Sequence, residues 1–94
     1  MKNYYVYILS SQHNNTLYIG VTGDISRRIT EHKEKMIDGF SKRYNCTKLV
    51  FVEVFEDIEY ALLREKQLKK WSRSKKDFLI MQNNPNFIDL STTL

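Results

Sequence analysis

Three charged or titratable side chains fall where the sequence should place apolar ones. Spacing each helix residue about 100° from the last puts Arg28 and His32 on the apolar side of a first helix, and Glu65 near the centre of the apolar arc of a second. The apolar positions are Ile25, Ile29 and Met36 in the first helix and Ala61, Leu62 and Leu68 in the second. Burying such a charge without a partner costs several kcal/mol, so these groups should be either paired or used in chemistry.

The residues alone leave both interpretations open. Arg28 and Glu65 could form a structural salt bridge, with His32 a hydrogen-bonded histidine at the rim of the core. Arg28 could also extend from the edge of the apolar arc into solvent, as long charged side chains often do. The alternative is a site in which the cation, the carboxylate and the imidazole act together.

A hairpin near the N-terminus would add phenol groups to such a site. Tyr5 and Tyr7 share one face of the first predicted strand, Tyr4 lies on the other face, and Tyr18 stands just before Ile19 on the second strand. Tyrosine is an ordinary strand residue, so its presence alone indicates little. Near a cation, however, a phenol loses its proton more readily and can serve as a general base.

The elements that must position these side chains follow from propensity and periodicity. Strands are predicted over residues 4–9, 16–19 and 48–55, and helices over residues 25–36, 57–70 and 74–81. Gly20 and Gly23 are expected to break the second strand, Asp24 to cap the first helix, and residues 40–47 to form a loop. The order β-β-α-β-α-α predicts one α+β domain over residues 1–94, a small three-stranded antiparallel sheet flanked by helices.

The charge of the chain is basic and uneven. The formal net charge is +4 and the pI is about 9.2. Seven basic residues lie between Arg27 and Lys48 and seven between Arg64 and Lys76, whereas residues 53–59 carry four acids. The basic patches would attract a polyanion, although helix faces that are merely exposed to solvent would produce the same pattern.

The single cysteine, Cys46, excludes an intrachain disulfide and a cysteine-based zinc site. The apolar start of the chain is too short for the core of a signal peptide, and no apolar run could span a bilayer. We therefore expect a cytoplasmic protein without membrane contact.

An ordered set of motifs resembles the GIY-YIG nuclease family. Tyr5-Val6-Tyr7 is followed eleven residues later by Tyr18-Ile19-Gly20, like the paired tripeptides that name the family. Thr22, Asp24, Arg28-Ile29, His32, Ala61 and Glu65 then follow in the family order. The match covers nearly the whole chain. The sequence is similar to that of small stand-alone bacterial members of the family. It departs from the family pattern at Tyr5, which replaces a glycine, and at Val21, where related DNA-repair nucleases have a lysine.

The resemblance implies a role for each of the unusual polar residues. Glu65 would bind a single divalent cation, Mg²⁺ or Mn²⁺, which accepts one carboxylate, several waters and a substrate phosphate. Arg28 would contact the scissile phosphate, and Tyr18 would activate the attacking water with Tyr7 beside it. His32 would relay a proton, contact phosphate or merely orient Tyr7.

Two segments combine cations with aromatic rings, as surfaces that follow a nucleic-acid backbone do. The residues expected to bind nucleic acid are Lys42, Arg43, Tyr44, Lys69, Lys70, Arg73, Lys75 and Lys76. Tyr44 and Trp71 could equally be packing residues. Asn84 stands near the place of a supporting asparagine in larger family members, and no role is assigned to it.

The expected function is that of a metal-dependent endonuclease that hydrolyses phosphodiester bonds, with DNA favoured over RNA and DNA repair or recombination as the process served. The alternatives are a non-catalytic nucleic-acid-binding module on the same scaffold and a structural adaptor domain. Because the family uses separate domains for targeting, we expect a protein partner, a homodimer or the shape of the substrate to supply specificity here.

Overall fold

The computed structural model describes residues 2–94, which form a three-stranded sheet with helices on both faces. The strands are β1 (Tyr4–Ser10), β2 (Leu17–Thr22) and β3 (Lys48–Phe55), and the helices are α1 (Ile25–Lys33), α2 (Phe40–Arg43), α3 (Ile58–Lys70) and α4 (Arg73–Met81), followed by the 3₁₀ turn η1 (Leu90–Thr93). The spatial strand order is β2-β1-β3 and both pairings are antiparallel. The predicted α+β architecture and its hairpin are therefore confirmed.

The central strand β1 contributes side chains to two hydrophobic clusters, one on each face of the sheet. Val6 and Ile8 join the cluster covered by α3 and α4, whereas Tyr7 and Leu9 join the cluster covered by α1. Alternation along a strand sends successive side chains to opposite faces, so a single strand organises both halves of the core. A bulge between Ile8 and Leu9 shifts the pairing with β3 by one residue.

Three of the helices begin at a side-chain cap, and the predicted cap Asp24 is confirmed. The carboxylate of Asp24 accepts a hydrogen bond from the Arg27 amide at the start of α1, and Asp57 accepts one from the Glu59 amide at the start of α3. Ser72 caps α4 in the same way, so that helix begins at Arg73, one residue earlier than predicted.

Several predicted boundaries were wrong. β2 runs through Gly20 to Thr22 because Gly20 pairs with Tyr7 in the middle of the hairpin, and only Gly23 lies beyond its end. α1 ends at Lys33 rather than residue 36, since Lys35 adopts a left-handed conformation with φ 56°, and Met36 is 66% exposed.

Two further expectations need correction. Part of the loop expected over residues 40–47 forms the short helix α2, which follows Gly39 with φ 116°. In α3 the buried face carries Ala61 and Leu68, but Leu62 is 47% exposed because the sheet covers a narrower arc of the helix than the periodicity suggested. Within residues 2–94, no helix has both the length and the apolar character needed to cross a membrane.

The end of the chain is tied to the sheet by Asp89. Its carboxylate accepts hydrogen bonds from Lys33 Nζ at 2.5 Å, the Leu49 amide at 3.1 Å and the Ser91 amide at 3.0 Å. Burial alone raises the pKa of this carboxyl, but the donors from Lys33, Ser91 and Leu49 outweigh it and lower the pKa of Asp89 to about 2. Asp89 therefore links α1, β3 and the 3₁₀ turn.

We expect Asp89→Asn to lower the free energy of unfolding at neutral pH by about 1–2 kcal/mol, less than the pKa difference alone implies because 30% of the side chain is exposed. A lowered carboxyl pKa stabilises the fold above the unfolded value of 3.8, and that contribution is lost as the pH falls through about 2. The difference in free energy of unfolding between wild type and variant, measured by urea denaturation, should thus become smaller as the pH is lowered from 3.8 toward about 2. An equal loss in Asp38→Asn, whose carboxylate is exposed, would contradict this assignment.

Candidate active site

The site is built around the hydroxyl group of Tyr7, which lies inside the core of the protein. Tyr7 is in the middle of β1 and is fully buried, with pairing partners on both sides, Gly20 in β2 and Val52 in β3. Burial raises the pKa of Tyr7 above its ordinary value, Tyr18 and Glu65 raise it further, and the charge and N–H groups of Arg28 act in the opposite direction. At neutral pH the phenol is therefore protonated in the free protein.

Gly20 makes room for this ring. A Cβ atom at Gly20 would lie 2.5 Å from Cζ and 3.0 Å from Cε1 of Tyr7 and would overlap its hydroxyl oxygen. No side chain can therefore occupy this position of β2 unless Tyr7 moves. Gly20 is a part of the site that supplies space rather than a functional group.

His32 connects the phenol to α2. The imidazole is only 2% exposed, with Nε2 3.0 Å from the Tyr7 hydroxyl and Nδ1 2.7 Å from Ser41 Oγ. Burial lowers the pKa of His32, and the nearby charge of Arg28 lowers it further, while Glu31 has the opposite effect. A neutral imidazole is favoured, so His32 has one ring donor and one ring acceptor.

Tyr18 forms the accessible side of this group. Its ring centroid lies 5.2 Å from that of His32 and 6.3 Å from that of Tyr7, and its ring stacks on Phe40 of α2 at 6.4 Å. Unlike Tyr7, Tyr18 is only partly buried. Of the two phenols, Tyr18 is thus the one that a water molecule from solvent can reach.

Arg28 brings a cation from α1 to the same place. Its guanidinium influences the pKa values of both Tyr7 and His32, and its Nε is 3.2 Å from Glu31 on the next turn. The side chain is 38% exposed, so its head group is available to a ligand. An ion pair with this exposure holds the guanidinium only weakly, which leaves it able to exchange Glu31 for a phosphate.

Glu65 provides the carboxylate from α3. It lies one turn after the buried Ala61, its side chain is 19% exposed, and its charge acts on Tyr7. The charged contact of its carboxylate is with Lys69 Nζ at 3.4 Å, on the next turn of the helix. Within residues 2–94, no three His, Cys, Asp or Glu side chains converge as metal ligands.

This donor set suits one kind of cation. Mg²⁺ is commonly held by one or two carboxylates and completes its coordination with water and substrate oxygen, so a half-buried carboxylate with free oxygen lone pairs meets its requirement. A zinc site, by contrast, would need additional protein ligands that the described residues do not bring together.

The structural salt bridge considered between Arg28 and Glu65 is not formed. Arg28 pairs with Glu31 and Glu65 pairs with Lys69, each within its own helix. The two unlike charges therefore face the Tyr7 hydroxyl from different elements without neutralising one another. Tyr7, Tyr18 and His32 form one group of neighbouring rings, and the charges of Arg28 and Glu65 act on Tyr7. These five are the side chains proposed as catalytic.

Comparison with known proteins agrees with this arrangement. The model of the GIY-YIG catalytic domain matches residues 3–77, which is most of the chain and includes every one of the five clustered side chains. This chain belongs to the GIY-YIG family.

Curated relatives share most of their length with this GIY-YIG domain. A UPF0213 protein of Syntrophus aciditrophicus is 40% identical over 84 residues, covering 88% of this chain and 95% of the relative. A UPF0213 protein of Natronomonas pharaonis is 35% identical over 78 residues, covering 83% and 91%. The solution NMR structure of a UPF0213 protein of Bacillus halodurans has 31% identity and a TM-score of 0.60, and covers 97% of this chain and 94% of that one.

The first group of expected nucleic-acid-binding residues lies beside the site. Lys42, Arg43 and Tyr44 are exposed on and after α2, and the Tyr44 ring packs on Phe40 at 4.6 Å. Phe40 in turn stacks on Tyr18, so this GIY-YIG domain has a row of aromatic rings that leads from the surface to the candidate site. Arg43 lies 5.6 Å above the Tyr44 ring.

The second group is more varied. Lys69, Lys70 and Lys75 are exposed and Lys76 is half-buried. Arg73 is held by Asp77 and by the main-chain carbonyls of Asn14 and Asn15, so its guanidinium links α4 to the hairpin.

Trp71 and Asn84 have packing roles. The Trp71 ring packs against the core between the guanidinium of Arg64 at 5.3 Å and Lys75 Nζ at 4.5 Å. Asn84 is buried, and its carboxamide bonds to the main chain of Val50 and Ile88, which fixes the turn after α4.

Two residues that contact the Tyr7–His32 pair were not predicted as site residues from the sequence. Ser41 was placed in a basic loop and Gly20 was treated as a strand breaker, yet both contact the central network. The pairing of the hairpin would have placed Gly20 opposite Tyr7, whereas nothing in the local sequence indicates that Ser41 meets His32.

We expect Gly20→Ala to lower the free energy of unfolding by about 1–3 kcal/mol, because the added methyl overlaps Tyr7 within the packed core. The same change should shift the His32 ring resonances in an NMR spectrum, since Tyr7 must move away from Nε2. Gly23→Ala is the matched control, because its Cβ would meet the flexible Lys2 side chain at 3.1 Å. Equal losses of stability in the two variants would contradict a specific role for Gly20.

Proposed function

We propose that this GIY-YIG domain is a metal-dependent endonuclease that hydrolyses phosphodiester bonds in nucleic acid, with DNA as its substrate and DNA repair or recombination as its setting. The observation that supports this most strongly is the buried Tyr7 hydroxyl group, which contacts the His32 imidazole, lies beside the Tyr18 ring and is under the influence of the charges of Arg28 and Glu65. Such a set supplies each group that hydrolysis of a phosphodiester requires. The family match to a catalytic domain supports the same conclusion.

Arg28 binds the scissile phosphate in this proposal. Its guanidinium is anchored on α1 and is partly exposed, and it carries planar donors that match two phosphate oxygens. The permanent positive charge offsets the negative charge that develops on the phosphate during attack. Arg27, one residue earlier, is 72% exposed and pairs with Glu31.

Glu65 holds the divalent cation. When bound, Mg²⁺ or Mn²⁺ would polarise the phosphate and stabilise the leaving oxygen. Glu65 lies on the same side of α3 as Ala61 and Leu68, one turn before and after it, and the burial of these two residues fixes the direction in which that side of the helix points. Lys69 pairs with Glu65 in the structure and would be released from that pair to contact the nucleic-acid backbone.

The two tyrosines have different roles next to the attacking water. Tyr18 is reachable from solvent and, in its phenolate form, accepts the proton of the water and becomes a phenol, while Tyr7, buried and protonated, holds the local hydrogen-bond network in place. This assignment follows from the difference in burial of the two rings. Tyr7, the phenol that solvent cannot reach, is also the one whose hydroxyl is hydrogen-bonded to His32, as a positioning role requires.

The flanking surface favours nucleic acid as the substrate. Lys42, Arg43 and Tyr44 lie on one side of the site and Lys69 and Lys70 on the α3 side, so exposed cations border the candidate active site on two sides. The cations would contact phosphates and the tyrosine ring would stack on a base, and neither contact depends on the base sequence.

The test is cleavage of labelled single-stranded, double-stranded and branched DNA and RNA by the purified protein, with Mg²⁺, with Mn²⁺ or with a chelator. We expect cleavage of DNA that requires the cation and falls by about 100-fold or more in Glu65→Gln and in Arg28→Lys, because each loses a group that acts on the transition state. Glu59→Gln on the same helix and Arg27→Lys on α1 are the matched controls.

Binding to nucleic acid without cleavage of any substrate, unchanged by Glu65→Gln or Arg28→Lys, would establish the non-catalytic binding module instead. Cleavage of RNA but not of DNA would overturn the proposed substrate while leaving the hydrolytic site intact.

A further inference from the structure

The side of α3 that is turned away from the sheet carries two apolar side chains that are largely exposed to solvent. Leu62 is 47% exposed and Leu63 is 62% exposed, although both lie in the middle of a 13-residue helix. Glu59 lies one turn before them and Lys66 one turn after them, and both are exposed. These four residues form one stripe, the outer face of α3, with the spacing by which one helix packs against another.

The two charges on the outer face have no partner on their own helix. The positions three and four residues after Glu59 are Leu62 and Leu63, and these leucines are also three and four residues before Lys66. Among the described residues, 2–94, neither Glu59 nor Lys66 forms an ion pair. The outer face therefore presents an apolar centre with an unpaired acid at one end and an unpaired base at the other.

This pattern is complementary to itself when two copies of α3 run antiparallel. A two-fold axis that passes between Leu62 and Leu63 brings the leucines of one copy against those of the other. Glu59 lies three residues before the leucine pair and Lys66 three residues after it, so the same axis places each Glu59 opposite Lys66 of the second copy. A parallel pair would instead place like charges opposite one another, which is unfavourable.

We propose that the outer face of α3 is the interface of a symmetric homodimer in which two copies of this helix pack antiparallel. The leucines form its apolar centre, and the two Glu59–Lys66 pairs flank this centre and fix the direction of the helices. A nucleic acid would satisfy Lys66 but would be repelled by Glu59, whereas a second copy satisfies both charges at once. Because each copy contributes one helix, the interface is small, and we expect a dissociation constant on the order of 10–100 µM.

The proposed dimer leaves each candidate active site within one copy. Ala61 and Leu68 mark the side of α3 that packs on the sheet, and Glu65 lies on that side with them. The outer face is turned away from it, so the dimer would carry two complete sites. The use of two sites on one particle rests on the proposed nuclease function, whereas the association itself does not.

Analytical ultracentrifugation of the purified chain measures this association without metal or nucleic acid. We expect the wild type to show a reversible monomer–dimer equilibrium, and Leu63→Lys to raise the dissociation constant by about 100-fold or more, because each dimer would bury two unpaired charges. Leu63 is already exposed in the single chain, so this change should leave the fold intact. Met36→Lys is the matched control, because Met36 is a similarly exposed apolar residue that follows α1 on the other side of the sheet.

Charge reversal tests the antiparallel geometry. We expect Glu59→Lys and Lys66→Glu each to raise the dissociation constant by about tenfold when studied alone, because each dimer then has two pairs of like charges. An equimolar mixture of the two variants should recover the wild-type association, since every pair in the mixed dimer again joins an acid to a base. Glu34→Lys, an exposed change at the end of α1, is the control and should have no effect.

Two results would overturn the proposal. One is a wild type that stays monomeric up to about 1 mM, which would leave the outer face of α3 to a different protein. The other is a dimer that neither Leu63→Lys nor the two charge reversals weaken, which would place the interface elsewhere on the molecule. A dimeric wild type that cleaves no substrate would refute the nuclease function and leave this interface standing.

Discussion

The burial of the Tyr7 hydroxyl group in the middle of the central strand is the constraint on which the site depends. A phenol oxygen inside a core must be hydrogen-bonded, and the hairpin partner of Tyr7 must leave space for the ring. Gly20 leaves the space, His32 provides the partner, and Ser41 fixes His32 in turn. Because these contacts come from β2, α1 and α2, satisfying one buried oxygen determines how three elements are placed around the sheet.

The same strand gives the protein two cores of different character. On the face covered by α3 and α4 the cluster is apolar, with Val6 and Ile8 as the contributions of β1. On the other face Tyr7 lies among Leu9, Ile25, Ile29, Leu49 and Cys46, and polar groups enter the packing. A polar network in a core stabilises less than an apolar one unless it is fully satisfied, and no buried side-chain polar atom in residues 2–94 lacks a partner. Each buried side-chain polar atom of residues 2–94 thus has at least one hydrogen-bond partner, which offsets part of the cost of placing polar groups in this core.

The sequence predicted the fold from local signals that the tertiary structure did not override. Capping residues such as Asp24 and Asp57 and the alternation along β1 are local properties, and they located the starts of α1 and α3 and the central strand correctly. Helical periodicity also placed Arg28 and His32 near the core. It also predicted that Met36 and Leu62 are buried, but both are exposed. Their burial depends on where α1 ends and on how α3 lies on the sheet, which periodicity alone does not determine. The pairs Arg28–Glu31 and Glu65–Lys69 are three and four residues apart on one helix, so spacing along the chain offers them as partners. The approach of Ser41 to His32 joins two different helices, which spacing along the chain does not reveal.

A cation held by Glu65 beside Tyr7, Tyr18 and His32 can be detected without any substrate by paramagnetic broadening with Mn²⁺ in NMR spectra. We expect broadening centred on Glu65 that extends to the rings of Tyr7, Tyr18 and His32, and that is lost in Glu65→Gln but retained in Glu59→Gln. Broadening centred instead on the acidic residues 53–59, and unchanged in Glu65→Gln, would contradict it.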